Sequence, residues 1–438
     1  MIVEFSVENF RSIKERQTIS FVATGLKSPE EYRNVDKNNI AIDGGMSLLK
    51  TVGIYGANAS GKSNIIKALT YFLLAIRNEA SSESNLSDLC DSFFYQDNAN
   101  HSEAYFQIVI IIDKNKYRYG FTVKKNPNYF EQIASDSSKK ISKEIITNEW
   151  LYGTKETNQG KYFTRIGNKV NKETLANNEK FPEIPSEHFL FLTFASAFDP
   201  DGVCAIVRNF LSGWTISNLQ DGEHPFLQHF QTLLEFDKKE KEFLDLLSTF
   251  NLKYDRVFIR KSANKTSDQS LSKDEVYFEK TFSQKKNKIN QELNLKYNES
   301  DGTQKLFVLA SLLFRAFNFK SSGLIILDEI DSNFHPSLLI KLIKLINDPS
   351  VNKSNAQLLF TSHDTNLMSP EIMRRDQFYF TEKNEDDSTR LYSLAELKGI
   401  RNDADFAKQY LAGFYGGVPI LEVYSNPNLE NNDGTMEQ

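Results

Sequence analysis

Apolar and polar positions alternate from the first residues of the chain. "IVEFSVENF" and "RQTISFVAT" each read as a strand with one buried face, joined by a short charged turn. "LLKTVGIYG" is a third strand, apolar on both faces and therefore buried, running into a glycine-rich loop. The period then changes. In "SNIIKALTYFLLAIRNEA" the apolar residues recur three and four apart, which predicts an amphipathic helix. From about 103 to 166 alternation returns, and "EAYFQIVIIID" and "KYRYGFTVKK" flank the turn residues Lys114 and Asn115 as a predicted hairpin. Residues 205–250 read as helical, most clearly in "PFLQHFQTLLEFDKKEKEFLDLLSTF", and a basic, strand-forming segment follows over 256–296. "ESDGTQKL" opens another helix. The strand "GLIILDEI", the helix "PSLLIKLIKLIND" and the strand "AQLLFTSH" then form a βαβ pattern, which predicts a parallel sheet. The tail "NPNLENNDGTMEQ" lacks any period and is expected to be disordered.

Composition narrows the class without changing this picture. The 438 residues suffice for a large core and two or three domains, and 40% hydrophobic with 25% charged residues describes a soluble globular protein. The 34 phenylalanines suit buried strands. The start alternates instead of forming an apolar block, which argues against a secretory signal. No run approaches the roughly 18 apolar residues of a membrane span. A cytoplasmic protein is expected. Cys90 and Cys204 are the two cysteines, far apart, and read better as free thiols than as a disulfide. A net charge of −6 argues against coating nucleic acid with the whole surface. Residues 256–296 still hold ten Lys/Arg against five Asp/Glu. That segment is either a nucleic-acid or partner contact or a solvated hairpin, and the solvated hairpin is the preferred reading.

The chemistry begins at "GANASGKS", Gly56 to Ser63, which fits G-x-x-x-x-G-K-[ST] between a predicted strand and helix. Backbone N–H groups of such a loop face the phosphates of ATP, Lys62 brings positive charge to the β- and γ-phosphates, and Ser63 supplies a Mg2+ ligand. Gly56, Asn58, Ser60, Gly61, Lys62, Ser63 and the following Asn64 are the expected nucleotide contacts. In "LIILDEI" four apolar residues place Asp328 at the C-terminal edge of a buried strand, where it can hold the Mg2+ shell. Glu329 is then placed to polarise the attacking water as a general base, a role worth roughly 10²- to 10⁴-fold in rate. The next strand ends in "TSHD", with His363 at its tip to hydrogen-bond the γ-phosphate. His335, in "NFHPSL", is explained as a cap of the helix after it.

Taken in this order, the motifs resemble an ABC-type ATPase of the SMC/RecF/OLD-like branch. The resemblance implies an α/β P-loop NTPase head with a mixed sheet, a β-rich lobe and a short helical insertion. It also implies ATP bound between two subunits. In that family a signature, often written LSGGQ, opens the helix upstream of the Asp–Glu strand. "ESDGTQKL" stands there, with Thr303 25 residues before Asp328. Ser300, Gly302 and Thr303 would present a hydroxyl, backbone N–H groups and a helix N-terminus to the partner's ATP. Asp331 matches the D-loop, and "ENFRSI" resembles an element whose basic residue reaches the nucleotide, so Arg11 and Ser12 are candidates. The chain departs from the pattern at Asp301 and Thr303. It has no glutamine in "HFLFLTFASAF", where a Q-loop would fall.

A narrower likeness rests on "EWLY" (149–152), "ESDGTQKL", "LDEIDSNFHP", "TSHDTNLM", "RRDQFYF" and "YLAGFYGGVP", which resemble prokaryotic ATPases of abortive infection and phage defence. It implies a homodimer or higher homo-oligomer joined through composite ATP sites, controlling a separately encoded effector, a nuclease or toxin. The alternative is a repair-type ATPase that clamps DNA. The segment between the P-loop lobe and the signature is too short for coiled-coil arms. The 75 residues after His363 are too few for a fused nuclease domain. The expected layout is lobe I over 1–200, a helical insertion over 201–255, lobe II over 256–395 and a C-terminal extension over 396–438.

Overall fold

The computed structural model describes residues 1–77, 86–96, 102–129, 142–155, 158–175, 181–184, 186–217, 239–260, 275–284, 287–318, 323–332 and 334–419. The opening alternation forms β1 (Ile2–Glu8) and β2 (Gln17–Ser20), paired antiparallel. After a short helix, α1 (Arg33–Asn38), the run expected as one strand divides at Lys50. Met46–Leu49 (β4) turns back on β3 (Ile40–Asp43), and Thr51–Gly56 (β5) alone enters the central sheet. Lys50 makes the division. Its ammonium is buried at the C-terminus of a later helix, where it donates to the Asn347 carbonyl at 3.3 Å. Burial lowers its pKa.

The loop after β5 leads into α2 (Lys62–Arg77). β6 (Ala104–Ile112) and β7 (Asn115–Lys125) form the expected hairpin, with its turn one residue earlier than predicted. Asp113 and Lys114 have φ of 48° and 67°, the paired left-handed residues of a type I′ turn, whose twist matches that of the strands. β8 (Glu144–Lys155), β9 (Asn158–Ile166) and β10 (Lys169–Asn171) extend this layer to a seven-stranded antiparallel sheet ordered β10-β9-β8-β7-β6-β1-β2.

The segment expected to be helical over 205–250 is interrupted. α3 (Phe191–Phe198) and α4 (Val203–Ser212) are followed by β11 (Thr215–Ser217), an edge strand of the central sheet, and then by α5 (Glu240–Thr249). Residues 225–238 of the predicted long helix lie outside the described residues, as does the tail beyond 419. β12 (Arg256–Arg260), β13 (Glu275–Gln284) and β14 (Asn287–Asn294) make a three-stranded antiparallel sheet. The rest of the chain supplies α6 (Leu295–Asn298), α7 (Asp301–Asn318), β15 (Leu324–Leu327), α8 (Pro336–Asn347), β16 (Gln357–Thr361), β17 (Phe378–Lys383), β18 (Thr389–Ser393) and α9 (Phe406–Leu411).

The central sheet runs β11-β15-β16-β5-β17-β18, parallel throughout except for the β17–β18 edge, so it is mixed as expected. Period-two alternation divides its side chains between two cores. Val52, Ile54, Leu324, Ile326 and Leu359 face one core, shared with α2 and the antiparallel sheet. Tyr55, Ile325, Leu327, Leu358 and Phe360 face the other, with α7, α8 and α9. Both faces being covered explains why these strands read as continuous apolar runs. No described helix is long and apolar enough to cross a membrane. Cys90 and Cys204 are both free and buried.

Candidate functional site

Strands β5, β15 and β16 all end on the same edge of the sheet, and each delivers a residue singled out from the sequence. β5 ends at Gly56 and hands over to the loop before α2. Gly61 has φ +107°, and a Cβ there would lie 2.0 Å from Thr389 Oγ1, so only glycine admits this approach. The approach has a purpose. Thr389 Oγ1 donates to the Ser60 carbonyl (3.1 Å) and bonds Ser12 Oγ (2.7 Å), while Ser60 Oγ bonds Thr381 Oγ1 (2.6 Å). Asn64 Nδ2 also donates to Ser12 Oγ at 2.7 Å. The edge hairpin β17–β18 thus holds the loop in shape. Asn58 is exposed, and Ser63 and Asn64 are half-buried at the start of α2, where the Asn64 N–H donates to the Gly61 carbonyl at 3.0 Å.

Lys62 is buried, and its Nζ donates to the carbonyls of Gly56 and Ala57, both at 2.9 Å. Burial lowers its pKa, and Asp328, Glu329 and Asp331 oppose that shift. Two neutral carbonyls are partners that an ammonium can exchange for phosphate oxygens.

β15 ends at Leu327, directly before Asp328. Thr361, the last residue of β16, holds the acidic pair. Its Oγ1 donates to Asp328 Oδ1 at 2.5 Å and accepts the Glu329 N–H at 2.7 Å. Glu329 is exposed at φ 49°, a left-handed conformation that costs a non-glycine residue about 1–3 kcal/mol. Asp331 Oδ1 accepts the backbone N–H of His363 at 3.1 Å. The His363 pKa is lowered, by burial first and then by the Lys62 charge, against Asp331, Glu329 and Asp328. That direction favours the neutral imidazole. Lys62, Asp328, Glu329, Asp331 and His363 therefore share one electrostatic environment.

Among the described residues, no side-chain hydrogen bond joins the other candidates to these five. Ser300 caps α7: its Oγ accepts the Thr303 N–H at 3.2 Å and lies 3.0 Å from Thr303 Oγ1. Ser300 and Gly302 are exposed. No hydrogen bond among the described residues joins Ser300, Gly302 or Thr303 to residues 56–63. A Cβ on Gly302 would meet only Ser300 Oγ, at 3.9 Å. Arg11 Nε lies 3.1 Å from Asp91 Oδ2, and its guanidinium is 5.5 Å from the ring centroids of Phe10 and Tyr71. Ser12, its neighbour, touches the loop assembly, as described. His335 Nδ1 accepts the Ser337 N–H at 3.2 Å and so caps α8. The glutamine-free "HFLFLTFASAF" forms α3, whose first amides bind Glu149.

The arrangement fits ATP with Mg2+. Among the described residues, no group of three or more His, Cys, Asp or Glu could hold a metal unaided. A cation held by Ser63 and Asp328 would need phosphate oxygens to complete its shell, as Mg2+ on a nucleotide has. Three residues that bond the loop or the acidic pair, Thr361, Thr381 and Thr389, carry no mark in the sequence. Their partners lie 32 to 377 residues away, so no local pattern marks them.

Comparison with known proteins adds the following. Residues 52–174 and 205–369, more than half the chain, match the family model described as "AAA domain, putative AbiEii toxin, Type IV TA system". No curated protein matches. Among solved structures, the SMC head domain from Thermotoga maritima is similar at 13% identity, covering 90% of this chain and 98% of that one, with a TM-score of 0.38. The Smc head domain from Pyrococcus furiosus, with an extended coiled coil and bound to the C-terminal domain of ScpA, gives 13%, 90%, 96% and 0.37. The structure described as the recombination mediator protein RecF-ATPrS in the RecFOR pathway gives 13%, 89%, 98% and 0.34.

Proposed function

The chain belongs to this AAA-domain family, and from that premise we propose that it is a Mg2+-dependent ATP hydrolase working as a two-headed switch. Two copies close on shared nucleotides, and the closed state controls a separately encoded effector, a nuclease or toxin, in anti-phage defence. The observation that carries this reading is the cluster of Lys62, Asp328, Glu329, Asp331 and His363, with Ser300 and Gly302 of the α7 cap exposed.

Lys62 would hold the phosphates, and Ser63 with Asp328 would hold Mg2+, which offsets phosphate charge when bound. Glu329 orients a water and takes its proton, while neutral His363 hydrogen-bonds the terminal phosphate. Ser300, Gly302 and Thr303 serve the partner's nucleotide. Gly302 supports this reading, because its own chain leaves open space beside it. Gly302 is the second residue of α7, and close approach by something outside the chain gives a glycine there a reason. The defence role is supported by the family description, which names a toxin and a type IV TA system.

The repair-type alternative, a head that clamps DNA, finds less support. Arg256 and Arg260 of the basic sheet are paired with Glu279 and Glu292. The test is subunit mixing. Ser300→Arg and Lys62→Ala should each abolish hydrolysis alone, and together restore about one working site per mixed dimer. No rescue would remove the shared site. Tight duplex binding at physiological salt would favour the DNA clamp.

A further inference from the structure

Tyr55 is the residue before Gly56, at the C-terminal end of β5. Its side chain is fully buried, with its ring centroid 6.0–6.5 Å from those of Phe360, Phe378, Phe380 and Tyr410. In this apolar nest its hydroxyl has no hydrogen-bond partner. Asp364 follows His363. Its Oδ1 accepts from the backbone and side-chain amides of Asn366, at 2.9 and 2.6 Å, and so caps a single helical turn. Its Oδ2 is buried and has no partner.

The two orphans are carried at the ends of adjacent strands. Thr361 pairs with Ile54 across the parallel ladder, and the Ser362 N–H donates to the Ile54 carbonyl at 3.1 Å. The His363 loop therefore starts beside Tyr55. Burial, followed by the Asp364 charge, raises the Tyr55 pKa well above its ordinary value, so the hydroxyl stays a donor. One buried donor lacks an acceptor and one buried acceptor lacks a donor. Buried polar groups are seldom left so, and each such group calls for an explanation in strain or in the chemistry of its site.

We propose that Tyr55 is a positioning residue: its hydroxyl donates to Asp364 Oδ2 when the His363 loop takes its nucleotide-bound position. The latch reports occupancy of the loop after β5 to His363. It rests on the ATP hydrolase reading above, and it adds a residue and a route to that site.

Tyr55→Phe keeps the ring packing and deletes the unpaired oxygen. The nucleotide-free variant should melt at the same temperature as wild type or higher, while ATP turnover falls about tenfold with KM nearly unchanged, the scale of one hydrogen bond. A merely structural hydroxyl would not raise stability and lower turnover together. Asp364→Ser keeps an N-cap oxygen and removes Oδ2, so it should cost the same turnover, and the double variant no more than either single one. Amide exchange over residues 362–367 should slow on adding ATP in wild type and slow less in Tyr55→Phe. Turnover within about twofold of wild type, multiplicative costs in the double variant, or equal slowing of exchange in both proteins overturns the latch. A wild-type chain without turnover would instead remove the hydrolase reading, and the exchange comparison would still decide the latch.

Discussion

Two groups of charges in this molecule have opposite designs. In the antiparallel lobe, Glu149 and Arg165 are wholly buried 3.3 Å apart, and both are saturated with partners. Glu149 also accepts from Tyr119 Oη (3.0 Å) and from the Phe191 and Leu192 amides (2.7 and 2.9 Å), which caps α3. Arg165 donates to the carbonyls of Gly167, Glu187 and Phe189. At the edge of the central sheet, Lys62 leans on two backbone carbonyls, Glu329 is exposed in a left-handed conformation, and Tyr55 and Asp364 Oδ2 lack partners. A buried charge whose bonds are all fixed is part of the frame. Charges with exchangeable partners are free to answer a ligand.

The contrast can be broken by substitutions that move activity and stability separately. The largest effect is expected at Glu329→Gln, which should lower ATP turnover by roughly 10²- to 10⁴-fold. It should leave the melting temperature near wild type and prolong the ATP-bound dimer; steady-state turnover, a thermal melt and gel filtration measure the three. Unchanged turnover would remove Glu329 as the base. Arg165→Met should do the reverse. It strands Glu149, whose pKa burial already raises against the pull of Arg165, and breaking such a pair costs about 3–5 kcal/mol. Chemical denaturation should record that loss, while the ATP affinity of the folded fraction stays at wild type. A nucleotide-specific defect with normal stability would show that the clasp belongs to the site after all.

The same contrast explains what could be read from the chain alone. Lys62 stands in a local pattern, the G-x-x-x-x-G-K-[ST] loop between strand and helix. Asp328 and His363 each lie just past the end of an apolar strand, and an apolar run with a polar end is visible in sequence. The parallel sheet was legible for the same reason. "EWLY" was legible only as a family likeness; that its glutamate clamps Arg165 and α3 depends on contacts 16 to 43 residues apart. The division at Lys50 was hidden because a lone lysine amid apolar residues gives no sign of the distant helix end it caps. Thr361 and Thr389 were invisible, since a strand threonine looks the same whether or not its hydroxyl holds an acid or a loop.

Thr361→Val tests whether the frame reaches into the site. Valine fits the strand but removes the hydroxyl that bonds Asp328 and the Glu329 amide. One unmet buried donor costs about 1–3 kcal/mol. Because the same group fixes the acidic pair, turnover should fall by about tenfold, more than the stability change alone would require. A loss of stability with full turnover would place Thr361 in the frame only.

The smallest effect sharpens the contrast most. Within its own chain, Gly302 has room for a methyl group, so Gly302→Ala should stabilise the isolated subunit slightly through helix propensity, by less than the roughly 1 kcal/mol of a helix interior. If the cap of α7 meets a partner's nucleotide, the added methyl stands where the backbone must come close, and hydrolysis should fall although the fold gains. Melting curves at low protein concentration and turnover at high concentration separate the two. A variant that is more stable and equally active would make the glycine an accident of the helix start. One that is more stable and less active places the reason for Gly302 outside its own chain, in the opposite sense to Glu149, whose every partner lies within it.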